Sequence, residues 1–179
     1  TAEDCKEEKE NWKRTLIGDE KLNDTNNPDI KSKIDMYNET AKLRRGNLIR
    51  SSGSSELFLN IISNASGDMT TAYEYIYDMA RAYACPGGEL YKDKSLRDDI
   101  LYSIEWMYNN RYGKNTANKE IWKFTGHNNW YDWDIGTPRY MVPTLILMED
   151  ELRFDEISKY LKYFDERNQY LPQIDRNDI

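Results

Sequence analysis

Asp68-Met69-Thr70-Thr71-Ala72-Tyr73-Glu74-Tyr75-Ile76-Tyr77-Asp78-Met79-Ala80-Arg81-Ala82-Tyr83-Ala84 decides the fold class. Met69, Tyr73, Ile76, Ala80 and Tyr83 recur at alternating steps of four and three, the spacing that gathers side chains on one face of a 3.6-residue helix. Asp68 stands where an N-cap is wanted, and Cys85-Pro86-Gly87-Gly88 ends the pattern with residues that stop a helix. An amphipathic helix buried along one stripe is the expectation.

The same period extends in both directions. Toward the N-terminus, Asn27-Pro28 reads as a cap followed by a first-turn proline, with Ile30, Ile34, Tyr37, Ala41 and Leu48 behind it at helical intervals. Before that, the charged run from about Glu3 to Ile17 has Cys5, Trp12 and Leu16 near one face and Gly18 at its end, which predicts a helix with one thin buried stripe. Ser51 to Ser55 is a loop too short to join two domains, and Leu57 to Ile62 is a short apolar piece. Toward the C-terminus, Ser95 can cap a helix whose face is Leu96, Ile100, Ile104, Met107 and Arg111. Thr137-Pro138 opens another, to Met148, in which Pro143 predicts a kink. A last amphipathic helix near Asp155 to Arg167 uses Ile157, Tyr160, Leu161 and Phe164 and precedes Leu171-Pro172.

Composition agrees with helices throughout. The chain holds a single valine, Val142, and 32% charged residues, and no run alternates as a half-buried strand must. The expected architecture is all-α, antiparallel helical hairpins in one domain spanning residues 1–179. A net charge of −7 argues against nucleic acid as a partner, because a phosphate backbone needs a basic stripe. No apolar run has the length of a membrane span, and Thr1-Ala2-Glu3-Asp4 is not a signal peptide. Cys5 and Cys85 are too few for a disulfide framework, and neither a metal nor a cofactor is indicated.

One stretch is not spaced like a core. Trp122, Phe124, Trp130, Tyr131, Trp133 and Tyr140 fall within nineteen residues, and adjacent Trp130 and Tyr131 cannot both face inward on a helix or a strand. Between Gly126 and Arg139 these rings are interleaved with Asn128, Asn129, Asp132, Asp134 and Arg139. Flat rings stack on a pyranose face while amides and charges hydrogen-bond its substituents, so the stretch suits a sugar. Gly126 and Gly136 suggest a surface loop with unusual backbone angles, entering a helix capped by Thr137. The bland alternative is a loop whose tryptophans plug a core. His127 invites a catalytic role, but a lone loop histidine is more often structural. Asp132 and Asp134 supply too few oxygens for calcium and are expected to brace the loop.

Two segments together resemble a known family. Ala80-Arg81-Ala82-Tyr83-Ala84-Cys85-Pro86-Gly87-Gly88-Glu89-Leu90-Tyr91, followed by Asn129-Trp130-Tyr131-Asp132-Trp133-Asp134-Ile135-Gly136-Thr137-Pro138, is similar to the N-terminal helical domain of polysaccharide lyase family 8, which comprises the hyaluronate, chondroitin and xanthan lyases. The resemblance runs from about Trp12 to Pro172. It implies part of an incomplete α/α toroid, the N-terminal portion of a larger one, in a secreted, extracellular protein whose remaining toroid and β-sandwich domains are its neighbours. It also implies β-elimination in a uronic-acid-containing polysaccharide such as hyaluronan, chondroitin or a xanthan-like chain. The catalytic asparagine, histidine and tyrosine of the family lie beyond this chain, so no catalytic residue is assigned here. Asn129, Trp130 and Tyr131 match its sugar-stacking patch, with tyrosine where tryptophan is common, and Arg139 matches a basic residue lining its cleft. The alternative for Arg139 is an ion pair with Asp132 or Asp134. Two other functions stay open: a glycoside hydrolase on a related toroid, which needs two carboxyls across its cleft, and a non-enzymatic helical module that binds carbohydrate or protein.

Overall fold

The computed structural model describes residues 2–61, 65–113 and 129–168. Among these residues the structure is helical, with isolated β-bridges pairing Leu48 with Phe58 and Phe58 with Ile61 and no strand. Helix α1 is Ala2–Ile17, α2 Pro28–Gly46, α3 Ser66–Ala84 and α4 Lys94–Asn110. A π-helical turn, Asp132–Gly136, runs directly into α5, Thr137–Leu147, and α6 is Phe154–Asn168.

The hub is α3, which packs against α2, α4 and α5 and touches α1. Its sequence explains this. Small Ala72, Ala80 and Ala82 let neighbouring backbones approach, while Met69, Tyr73, Ile76, Met79 and Tyr83 fill the space between, all of them buried. On α2 the predicted face holds, with Ile34, Tyr37 and Ala41 buried, and Asn27 caps its N-terminus by accepting from the Asp29 N–H. Leu96, Ile100, Ile104 and Met107 of α4 are fully enclosed. Pro143 sits inside α5, buried, with no N–H to offer the carbonyl of Arg139.

Several local expectations are corrected in detail. The cap of α4 is Asp93, whose Oδ1 accepts from the Leu96 N–H at 2.7 Å, while Ser95 donates its hydroxyl to the same oxygen. At α3 the capping position is Ala65, with no side-chain bond, and Asp68 lies within the first turn. The stripe of α1 is thinner than its spacing predicts. Cys5 and Trp12 are exposed and only Leu16 and Ile17 reach the core, because α1 is held at its charged face by Lys9 and Lys13 on Glu149.

The turn after α3 is built from side-chain amides. Gly87 has φ +84°, a left-handed conformation that suits glycine. Asn23 donates to the carbonyls of Ile17 and Pro86, and Asn38 donates to the Ile34 carbonyl while accepting from the Leu90 N–H. These amides tie α1, α2 and the turn together. Charge is handled similarly at Asp99, which is buried on α4 and meets Arg45 of α2 and Arg50 of the segment after it at 2.5 and 2.6 Å. Burial pushes its carboxyl up, but the hydrogen bonds from Arg50 and Arg45 outweigh that and hold it below the usual aspartate range.

Candidate functional site

The aromatic stretch is helical from Trp130 onward, which corrects the reading of a loop. Asn129, not Thr137, is the residue that starts the helix. Its Oδ1 accepts from the Tyr131 N–H at 3.1 Å and its carbonyl from the Asp132 N–H at 3.1 Å, the arrangement of an N-cap. Gly136 is likewise not a permissive turn residue. It is right-handed helical at φ −59°, and its missing side chain serves a close approach: a Cβ would stand 3.0 Å from Thr70 Oγ1 and 3.2 Å from Asp132 Oδ1. Trp122, Phe124, Gly126, His127 and Asn128 lie outside the described residues.

From this helical entry the side chains sort into two sets. Trp130 and Tyr131 are 59% and 41% exposed, with ring centroids 6.2 Å apart and planes at 78°. Two large aromatic rings therefore face solvent side by side. Trp133 goes the other way, 6% exposed, with its ring against Tyr112 and Tyr163. It is the core plug, so the large solvent-exposed aromatics among the described residues of this stretch reduce to the adjacent pair.

The polar groups divide in the same way. Asp132 is spent internally, accepting from the hydroxyls of Ser66 at 2.8 Å and Thr70 at 2.9 Å on α3. That is the bracing role expected of it, and it removes Asp132 from the available carboxylates of a hydrolase. Asn129 is exposed, and its Nδ2 has no hydrogen-bond partner among the described residues. Arg139, further along the same helical run, is exposed, with its guanidinium 5.6 Å from the Tyr140 ring. No carboxylate among the described residues pairs with it, so the ion pair with Asp132 or Asp134 is not formed. Among the described residues no cluster of three or more histidines, cysteines or acids could hold a metal, and no helix is long and apolar enough to cross a membrane.

The residues that local reading missed are Ser66 and Thr70. They meet Asp132 across 66 and 62 positions of sequence, and no local pattern announces the pairing.

What this site presents is two exposed rings, an amide and a guanidinium on one helical entry, held from behind by α3. The same arrangement of helices occurs in solved structures. The chain superposes on the Paenibacillus xanthan lyase with a TM-score of 0.76 and 26% identity, over 87% of this chain and 14% of that one. It superposes on the Streptomyces coelicolor A3 chondroitin AC lyase with a TM-score of 0.72 and 21% identity, over 88% of this chain and 20% of that one. The Staphylococcus aureus hyaluronate lyase is 32% identical over 148 residues, which is 76% of this chain and 18% of that protein. The chain thus spans less than a fifth of the length of that relative. The model of polysaccharide lyase family 8, N-terminal alpha-helical domain, matches residues 12–174. A helical fold shared with two lyases and a family match over most of its length place the chain in polysaccharide lyase family 8, to which it belongs.

Proposed function

We propose that this chain is the substrate-binding helical part of a secreted lyase that cleaves a uronic-acid-containing glycosaminoglycan, hyaluronan or chondroitin, by β-elimination. The catalytic asparagine, histidine and tyrosine of that chemistry are not assigned to this chain, which contributes binding. The observation that carries the reading is the pair Trp130 and Tyr131, adjacent and both turned to solvent. Exposing two such rings is costly unless something covers them, and a pyranose face is the flat, C–H-lined surface that fits. The guanidinium of Arg139, which has no carboxylate partner among the described residues, suits a carboxylate or a sulfate on the same polymer, through two parallel hydrogen bonds. The names of the relatives support the substrate class: they are a hyaluronate, a xanthan and a chondroitin lyase.

The test is calorimetric titration of the chain and its Trp130→Ala variant with hyaluronan and chondroitin oligosaccharides, against a neutral glucan. Uronate-selective binding that falls about thirtyfold in the variant, the worth of one buried tryptophan anchor, is the expected result. Preference for the neutral glucan would favour a glycosidase instead. Uronate binding that survives the substitution unchanged would remove the platform from the site.

A further inference from the structure

Resting on the reading of Trp130 and Tyr131 as the sugar platform, we infer that Asp132 is the positioning residue that aims it. The carboxylate lies next to the two rings in sequence, yet both its oxygens are engaged on α3. Oδ2 accepts the Ser66 hydroxyl and Oδ1 the Thr70 hydroxyl. Ser66 Oγ in turn accepts the backbone N–H of Asn129 at 2.8 Å. The first turn of α3 is therefore tied to the residue just before the platform and to the residue just after it. Thr70 Oγ1 also lies 3.1 Å from Thr137 Oγ1; since the Thr70 proton is given to Asp132, Thr137 is the donor, and the tie extends past the π-helical turn.

The backbone of Asp132 supplies the second half of the device. Its carbonyl accepts from the Thr137 N–H, five residues on, where an α-helix would close on four. One additional residue in the turn rotates everything before it by about 100° relative to α5. Trp133, Gly136 and Thr137 can then stay buried while Trp130 and Tyr131 remain outside. Gly136 makes room for this by letting α3 approach, with Thr70 where a Cβ would press. The side chain of Asp132 fixes where the entry sits, and its carbonyl fixes which way the rings face.

Asp132 thus acts on a sugar only through its neighbours, and the experiment separates that from a general effect on folding. The chain is labelled with 5-fluorotryptophan, the Trp130 resonance is assigned by its loss in Trp130→Phe and that of Trp133 by its loss in Trp133→Phe, and a hyaluronan hexasaccharide is titrated. Asp132→Ala and Ser66→Ala should each weaken binding about tenfold, the worth of one charge-assisted hydrogen bond, and shift the Trp130 resonance while leaving that of Trp133 in place. Asp132→Asn, which can still accept one hydroxyl and donate to the other, should bind within about threefold of the parent. Should Asp132→Ala fail to fold, Ser66→Ala decides the matter alone.

An Asp132→Ala or Ser66→Ala chain that binds like the parent with an unmoved Trp130 resonance would overturn the inference. So would a weakened variant in which Trp133 moves as much as Trp130, since that is loosening of the core. Failure of the platform reading is distinguishable: there Trp130→Ala itself binds the hexasaccharide as the parent does.

Discussion

Tyr112 donates its hydroxyl hydrogen bond to the main-chain carbonyl of Trp133 at 3.0 Å and lays its ring along the indole, with centroids 6.0 Å apart and planes at 22°. The bond answers a deficit in the backbone. In the π register the Trp133 carbonyl would look five residues on, to Pro138, which has no N–H, and the Thr137 N–H is already given to Asp132. A side chain from just beyond α4 supplies the missing donor. Among the described residues the indole N–H of Trp133 is buried without a hydrogen-bond partner, so the ring is held by packing and the backbone by Tyr112.

Tyr112→Phe should therefore cost more than the loss of a surface hydroxyl. It keeps the ring and leaves a buried carbonyl unsatisfied, a penalty of about 1–3 kcal/mol. Urea unfolding of the variant and parent checks this, and a change within about 0.3 kcal/mol would mean that the carbonyl has another donor.

Gly136→Ala sets two effects against each other. The helical φ of −59° means alanine would gain about 1 kcal/mol of helix propensity. Against this, the new methyl would meet Thr70 and Asp132, which their mutual hydrogen bond keeps from yielding. Overpacking of this kind costs about 1–3 kcal/mol, so the net change should be destabilising by about 1 kcal/mol. A Gly136→Ala chain more stable than the parent in urea would show that Thr70 gives way.

Much of the scaffold was legible because it rests on periodicity and local caps. The steps of four and three in α3, the Asn27 cap of α2 and the terminating Gly87 are properties of short segments, and the structure keeps them. What was not legible depends on residues far apart in the chain. Asp132 meets Ser66 and Thr70 only because α3 and α5 pack, and this contact turns an expected loop into a helix starting at Asn129. The adjacency of Trp130 and Tyr131 announced that at least one ring is exposed, but not that both are. Trp133 could have faced either way. Its fate is set by the π register, which no local rule predicts.

Acid should weaken the fold partly through Asp99. Its carboxyl is held below the ordinary aspartate value by Arg50 and Arg45 against the opposing effect of burial. A group depressed in the folded state contributes its stability above the unfolded value, about 3.9, and loses it as pH falls through the folded value. Unfolding free energy measured from pH 6 downward should thus decline below about pH 4, and Asp99→Asn should flatten that decline while lowering stability near neutral pH by about 2 kcal/mol. Parallel pH profiles for parent and variant would refute this assignment.

Arg139 offers the sharpest test of which substituent the site reads. Its guanidinium stands beside the Tyr140 ring without a carboxylate partner among the described residues, so little reorganisation precedes ligand binding. Arg139→Lys keeps the charge and loses the planar fork; it should weaken hyaluronan oligosaccharides about threefold to tenfold, because a point charge replaces two parallel hydrogen bonds. Arg139→Gln removes the charge as well, and its residual binding should depend less on salt than that of the parent, whose exposed charge pair is screened between low and physiological ionic strength. Titrations at two salt concentrations separate the contributions. Equal affinity and equal salt dependence in all three chains would place the uronate carboxylate elsewhere and leave Arg139 as a surface charge.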